Sequence, residues 1–296
     1  MKKKNFFQIL FLGTALMTGF YLTSCNKDDN TTDKVDPSTI ANTNLVAYFP
    51  FNDNATESIN NLTPSNTPTV TYVDGRRGKC LQGVANGYML YNLPTGNKLK
   101  TLKAFTIAMW MKAPQIPAET VPAPLFLQIT NDDNLTWGNL TLAQDRAGTV
   151  LAPIDSLNLK MVIHKEGAPW ADQWLTNLNK PAFQAATWIY VVFEYDNITS
   201  TFNVFVNGVK LGFPDGLTKR YSDGAVAGVQ PALGDLAFNK ASKFVIGGWM
   251  PKINNVGAET WMGWFLGNMD ELRIYDKALT ATQVLDLYHA EVSQMN

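Results

Sequence analysis

Short alternating runs of apolar and polar residues, closed off by Gly, Pro, Asn and Asp, constrain this chain more than any other feature. Phe105-Thr106-Ile107-Ala108-Met109-Trp110-Met111-Lys112 is one such run, and Leu45 to Phe51 is another. Leu157 to His164, Trp188 to Tyr195, Thr201 to Val206, Phe244 to Trp249 and Gly267 to Tyr275 repeat the pattern. A period of two residues puts one face of a strand in a core and the other in water. Tyr195-Asp196-Asn197 and Asn207-Gly208 between such runs carry hairpin chemistry. One convincing helix is read, at the C-terminus. Thr280 caps it with Gln283 three residues on, and Val284, Leu285, Leu287 and Tyr288 form its apolar face. Many short strands, tight turns and one short C-terminal helix predict an all-β fold, an antiparallel β-sandwich of jelly-roll type.

The N-terminus follows different rules. Lys2, Lys3 and Lys4 precede an apolar run from Phe6 to Leu22. Charged start, apolar stretch and small residues are the order of an export signal. The run barely reaches the length that spans a bilayer, roughly 20 residues. Leu22-Thr23-Ser24-Cys25 resembles a lipobox, in which the Cys takes the lipid and the preceding peptide is removed. The expected organisation is a signal peptide over 1–24, a flexible tether over 25–43 and one domain over 44–291. Asn26-Lys27-Asp28-Asp29-Asn30 resembles the segment that sends Bacteroidetes lipoproteins to the outside of the outer membrane. The resemblance implies an outer-membrane protein, lipid-anchored through Cys25 and facing the cell exterior.

Charge and cysteine count then exclude some functions. Without the three signal lysines, 21 basic residues (24 minus 3) stand against 25 acidic ones, a net charge of about −4. With no basic stripe, nucleic acid is not an expected partner. Lipidation of Cys25 leaves Cys80 without an intrachain partner, so Cys80 is expected to be buried as a free thiol. Two Cys and two His make a zinc site improbable.

Five segments, in order, resemble the laminin-G-like domains of the concanavalin A-like lectin/glucanase superfamily. They are Leu45 to Ala55, Tyr72 to Leu81, Phe105 to Lys112, Trp188 to Gly208, and Gly267 to Thr280 with the helix behind it. The stretches 114–183 and 211–240 match poorly, and individual function is expected there. The resemblance implies a jelly roll that binds a glycan or glycoprotein without catalysis. A glycoside hydrolase or lyase, and a protein-binding adhesin, are the alternatives.

Each function asks for particular residues. Retaining glucanases need two carboxyl groups about 5 Å apart. Glu194 and Asp196 share a strand face here, but on the ordinary hairpin, and they are read as structural. Neither His164 nor His289 lies in a nucleophile motif. Jelly rolls of this type often hold one structural Ca²⁺. Asp53, with Asn52 after the first strand and Asp270 on the last, is the expected set, since calcium favours carboxylate and amide oxygens. Sugars stack on indole rings and hydrogen-bond to a few placed polar groups. Trp170, Trp174 and Trp137 are the expected platform, with Asp172, Gln173 and Asn139 as hydrogen-bonders. Trp110 and Trp188 fall on core positions.

Overall fold

The computed structural model describes residues 34–116, 122–133, 135–145, 155–223 and 231–295. Cys25 and residues 26–30 lie outside the described residues. Fifteen strands are found among the described residues. In chain order they are β1 (Leu45–Phe49), β2 (Thr71–Asp74), β3 (Lys79–Gln82), β4 (Met89–Asn92), β5 (Phe105–Lys112), β6 (Ala123–Asn131), β7 (Leu140–Gln144) and β8 (Ser156–His164). There follow β9 (Asp172–Gln184), β10 (Ile189–Asp196), β11 (Thr201–Val206), β12 (Val209–Lys210), β13 (Ala241–Ile246), β14 (Met262–Gly263) and β15 (Asn268–Tyr275).

They pair into two sheets. The first has the order β12-β11-β10-β5-β15-β3-β2, with β1 also on β15; the second has the order β4-β13-β6-β7-β8-β9, with β14 on β6. The pairings are antiparallel except β14 with β6. This is the expected sandwich. Alternation supplies the shared core: Ile107, Met109 and Met111 of β5 and Val191, Phe193 and Tyr195 of β10 point inward. Leu157, Leu159, Met161 and Ile163 of β8 meet them from the second sheet. Phe49 contacts Tyr91 and Phe244 across the sheets, both at 5.3 Å between ring centroids. Such aromatic pairs add about 0.5–1.5 kcal/mol beyond the area they bury.

The two outer faces differ. The C-terminal helix, Ala281–Ser293, covers the first sheet. Thr280 and Gln283 form both hydrogen bonds of the expected capping box. Val284 and Leu287 pack on Trp110, Tyr190, Val192 and Tyr275, while Leu285 stays exposed. Trp110 is therefore buried beneath the helix rather than between the sheets. Two further one-turn helices lie at Asp215–Thr218 and Met250–Asn254. Residues 34–44 include 3-10 turns at Pro37–Thr39 and Asn42–Asn44, and Ile40 and Ala41 pack into the layer under the C-terminal helix. Cys80 is buried and free, and burial pushes its thiol up to about 11. No helix among the described residues is long and apolar enough to cross a membrane.

Candidate functional site

Four tryptophans gather on the outer face of the second sheet. Trp137 is their hub. Its ring centroid lies 4.5 Å from that of Trp174, 5.5 Å from Trp249 and 5.6 Å from Trp261. Trp261 is almost parallel to it, at 15°, whereas Trp174 and Trp249 stand at 65° and 87°. Parallel and perpendicular indoles together form a corner. Trp174 is 37% exposed, Trp137 and Trp261 are half-buried, and Trp249 is 1% exposed. Three rings therefore face solvent and the fourth is their floor.

Each ring is placed by local structure. In β8 the inward Leu157, Leu159, Met161 and Ile163 leave Lys160 and Val162 on the outer face. Trp174 of β9 is registered against Val162, so its indole falls on that face too. The connection after β6 folds Trp137 back over the sheet. The buried Gln128 amide donates to the Thr136 carbonyl at 2.8 Å, and the Thr141 hydroxyl donates to that of Trp137. Trp249 Nε1 donates to the Ala123 carbonyl at 2.8 Å, and Ala123 N–H donates to the Trp261 carbonyl at 2.7 Å. The first residue of β6 thus ties down two of the four. Arg220 holds the outer edge of β9 by donating to the Trp174 carbonyl at 2.7 Å. Burial pulls that guanidinium down to about 10.

Polar groups accompany the rings. Lys160 Nζ lies 2.7 Å from Asp145 Oδ1, and 5.7 and 6.0 Å from the centroids of Trp137 and Trp174. Asp172 Oδ1 pairs with His164 Nδ1 at 2.6 Å across β8 and β9.

Of the residues expected from sequence, the structure brings Trp137 and Trp174 together. Trp170 stands apart in the β8–β9 connection, 53% exposed, its N–H donating to the Ser222 carbonyl. Asn139 and Gln173 are buried. The Asn139 amide donates to the His164 carbonyl and to Glu166, and that of Gln173 to the carbonyls of Trp170 and Tyr221. Both hold loops and neither faces the patch. Trp249, Trp261 and Lys160 were absent from the expected set. Lys160 was readable from the alternation of β8; the two tryptophans meet the others only through tertiary packing.

The expected calcium residues converge on the β2–β3 turn. Asn52 Oδ1 accepts the Lys79 N–H, and Asp270 Oδ2 accepts the N–H groups of Arg76 and Arg77 at 2.7 and 3.0 Å. Asp53 is exposed. Asp270 Oδ1 is buried with no hydrogen-bond partner, the kind of oxygen a calcium ion takes up. Burial pushes this carboxyl up to about 7 against the N–H donors. No group of three or more His, Cys, Asp and Glu that could hold a metal occurs among the described residues.

Glu194 is buried on the outer face of β10, where Asn203 Nδ2 donates to it at 2.6 Å.

No family model and no curated protein matches the chain. Solved structures do. Domain 4 of AbnA, a GH43 extracellular arabinanase from Geobacillus stearothermophilus in complex with arabinotriose, is similar with a TM-score of 0.51 and 20% identity, over 83% of this chain and 98% of that one. The binding domain of botulinum neurotoxin DC in complex with rat synaptotagmin II is similar at 0.57 and 9% identity, over 85% and 52%. The same toxin domain in complex with SialylT matches at 0.55 and 10%, over 84% and 52%. The chain spans about half the length of these toxin domains. The likeness establishes a shared β-sandwich fold.

Proposed function

We propose that this chain is a non-catalytic, surface-anchored module that binds a glycan through the tryptophan corner on its second sheet. The observation that carries the reading is three partly exposed indoles clustered on the outer face of the second sheet, Trp261 nearly parallel to Trp137 and Trp174 inclined to it at 65°. Exposed indoles are costly and mark interaction sites. Flat rings beside a few placed polar groups suit sugar rings, whose C–H faces are apolar and whose rims are hydroxyls. Support comes also from domains of this fold solved in complex with arabinotriose and with SialylT.

A glycan array, arabinotriose included, tests it. Parent protein is expected to bind a defined subset. Trp174→Ala and Trp137→Ala are expected to lose that binding at least tenfold, and Trp170→Ala to keep it. A parent that binds no glycan removes the reading in favour of protein adhesion. Sugar released from a bound polysaccharide would move it to the hydrolase or lyase class.

Two subsidiary proposals belong here. Cys25 carries the lipid and holds the domain on the outer membrane, facing the cell exterior; its support is the lipobox-like Leu22-Thr23-Ser24-Cys25. A calcium ion binds at Asp270, with Asp53 and Asn52; its support is the buried, unpartnered Asp270 Oδ1. Calcium is expected to raise the melting temperature and EDTA to lower it. An unchanged melting temperature removes the ion.

A further inference from the structure

We propose that the Lys160–Asp145 ion pair is the specificity element of the tryptophan corner, and that it selects sugars presenting a free vicinal diol. The inference rests on the glycan-binding reading. Its starting point is where the pair sits. Lys160 Nζ is 2.7 Å from Asp145 Oδ1 and within about 6 Å of two indole centroids. The two side chains are 20% and 11% exposed, so the pair is drawn largely out of water while its rim stays reachable.

Such a pair is poorly explained by stability alone. Desolvating two charges offsets most of their attraction, and a well-packed apolar pair does as well or better. Apolar groups lie beside Lys160. Ala143 is the cross-strand partner of Lys160, and the Trp137 and Trp174 rings flank it. Asp145 also has work in the fold: its N–H donates to the Asn158 carbonyl at 2.7 Å, and its Oδ2 accepts the Asn177 N–H at 3.4 Å. The main-chain bond survives any side chain, and the second is long.

The chemistry of the pair matches adjacent hydroxyls. A carboxylate only accepts and an ammonium only donates, while each hydroxyl does both. Two hydroxyls on neighbouring carbons can therefore bridge the pair, one donating to Asp145 and the other accepting from Lys160. Charged partners make these hydrogen bonds stronger than neutral ones. The indoles on either side take the C–H faces of the same ring. An anionic sugar gains nothing from the neutral pair as a whole, so the geometry favours neutral diols.

The test uses the full chain on an array that carries each glycan twice, free and O-methylated. Lys160→Met keeps the aliphatic stem without the donor, Asp145→Asn keeps the shape without the charge, and the double variant Lys160→Met/Asp145→Leu removes both charges. Each is expected to bind at least tenfold more weakly than parent, and parent is expected to ignore the methylated glycans. The double variant is expected to melt within a few degrees of parent, so its loss cannot be ascribed to misfolding. If Trp174→Ala loses binding but the ion-pair variants bind like parent, or if methylated glycans bind equally well, the inference is overturned and the glycan reading stands. If parent binds no glycan, both fall.

Discussion

Gly138 has a φ of +60°, and a Cβ there would lie 2.2 Å from the Ile129 carbonyl oxygen. This one residue turns Trp137 back over the sheet. Left-handed backbone alone costs an ordinary residue about 1–2 kcal/mol. Gly138→Ala is therefore expected to destabilise by at least about 2 kcal/mol in urea unfolding and to weaken glycan binding by displacing Trp137. Glu194 sets a pH dependence. Burial pushes its carboxyl from 4.5 up to about 7, so the folded chain keeps a proton that the unfolded chain releases. The resulting stability is complete below about pH 4.5 and is lost as pH rises through 7. A shift of this size corresponds to at most about 3 kcal/mol. Glu194→Gln is expected to melt higher than parent at pH 8, with the difference vanishing near pH 5. Single residues also show what sequence could reveal of the site. Trp137 and Trp174, expected together from sequence, do lie together, 4.5 Å apart between ring centroids. The amides of Asn139 and Gln173 instead donate to nearby carbonyls and to Glu166, as short amide side chains near turns often do. Nothing in the chain order distinguishes that use from ligand contact.

Strands β5, β11 and β15 were legible almost to the residue, because clean alternation marks them. The element β9 was not. Its inward residues Leu175, Leu178 and Phe183 are spaced by three and five positions, with Asn177 at φ +56° marking the irregularity. A bulge breaks the period of two on which strand reading depends. The same device shapes β15. Its register shifts between Asp270 and Arg273, and Glu271 sits at φ +52°. Strict alternation would turn Asp270 inward with Leu272 and Ile274. The extra residue instead lets Asp270 lie opposite Trp110 and Arg273 opposite Ala108, beneath the C-terminal helix. There Arg273 donates to Glu271 at 2.8 Å and to Glu291 of the helix, and Tyr48 donates to Glu271 at 2.8 Å. All three charged groups are 0% exposed. This cluster fastens the helix to the sheet, and removing one member strands a buried charge. Glu291→Ala is expected to lower stability by about 3–5 kcal/mol in urea unfolding. A loss below about 1 kcal/mol would show that the apolar residues Val284 and Leu287 hold the helix by themselves.

The whole molecule is two-sided. One outer face is closed by the C-terminal helix; the other carries the tryptophan corner. Residues 34–43 pack on the closed side, where Ile40 and Ala41 enter the layer under the helix and Gln294 donates to the Val35 carbonyl. The proposed lipid on Cys25 and the proposed glycan site at the corner can be tested together on one cell. Intact cells expressing the protein are accordingly expected to bind glycan-coated beads. Trp174→Ala cells should display equal protein to a surface antibody yet bind no beads. Cys25→Ala cells should lose both the antibody signal and the beads, and their protein should incorporate no labelled fatty acid. Antibody staining that persists unchanged in Cys25→Ala cells would show that the domain reaches the surface by another attachment. Beads held equally by Trp174→Ala cells would place recognition on a different face of the sandwich.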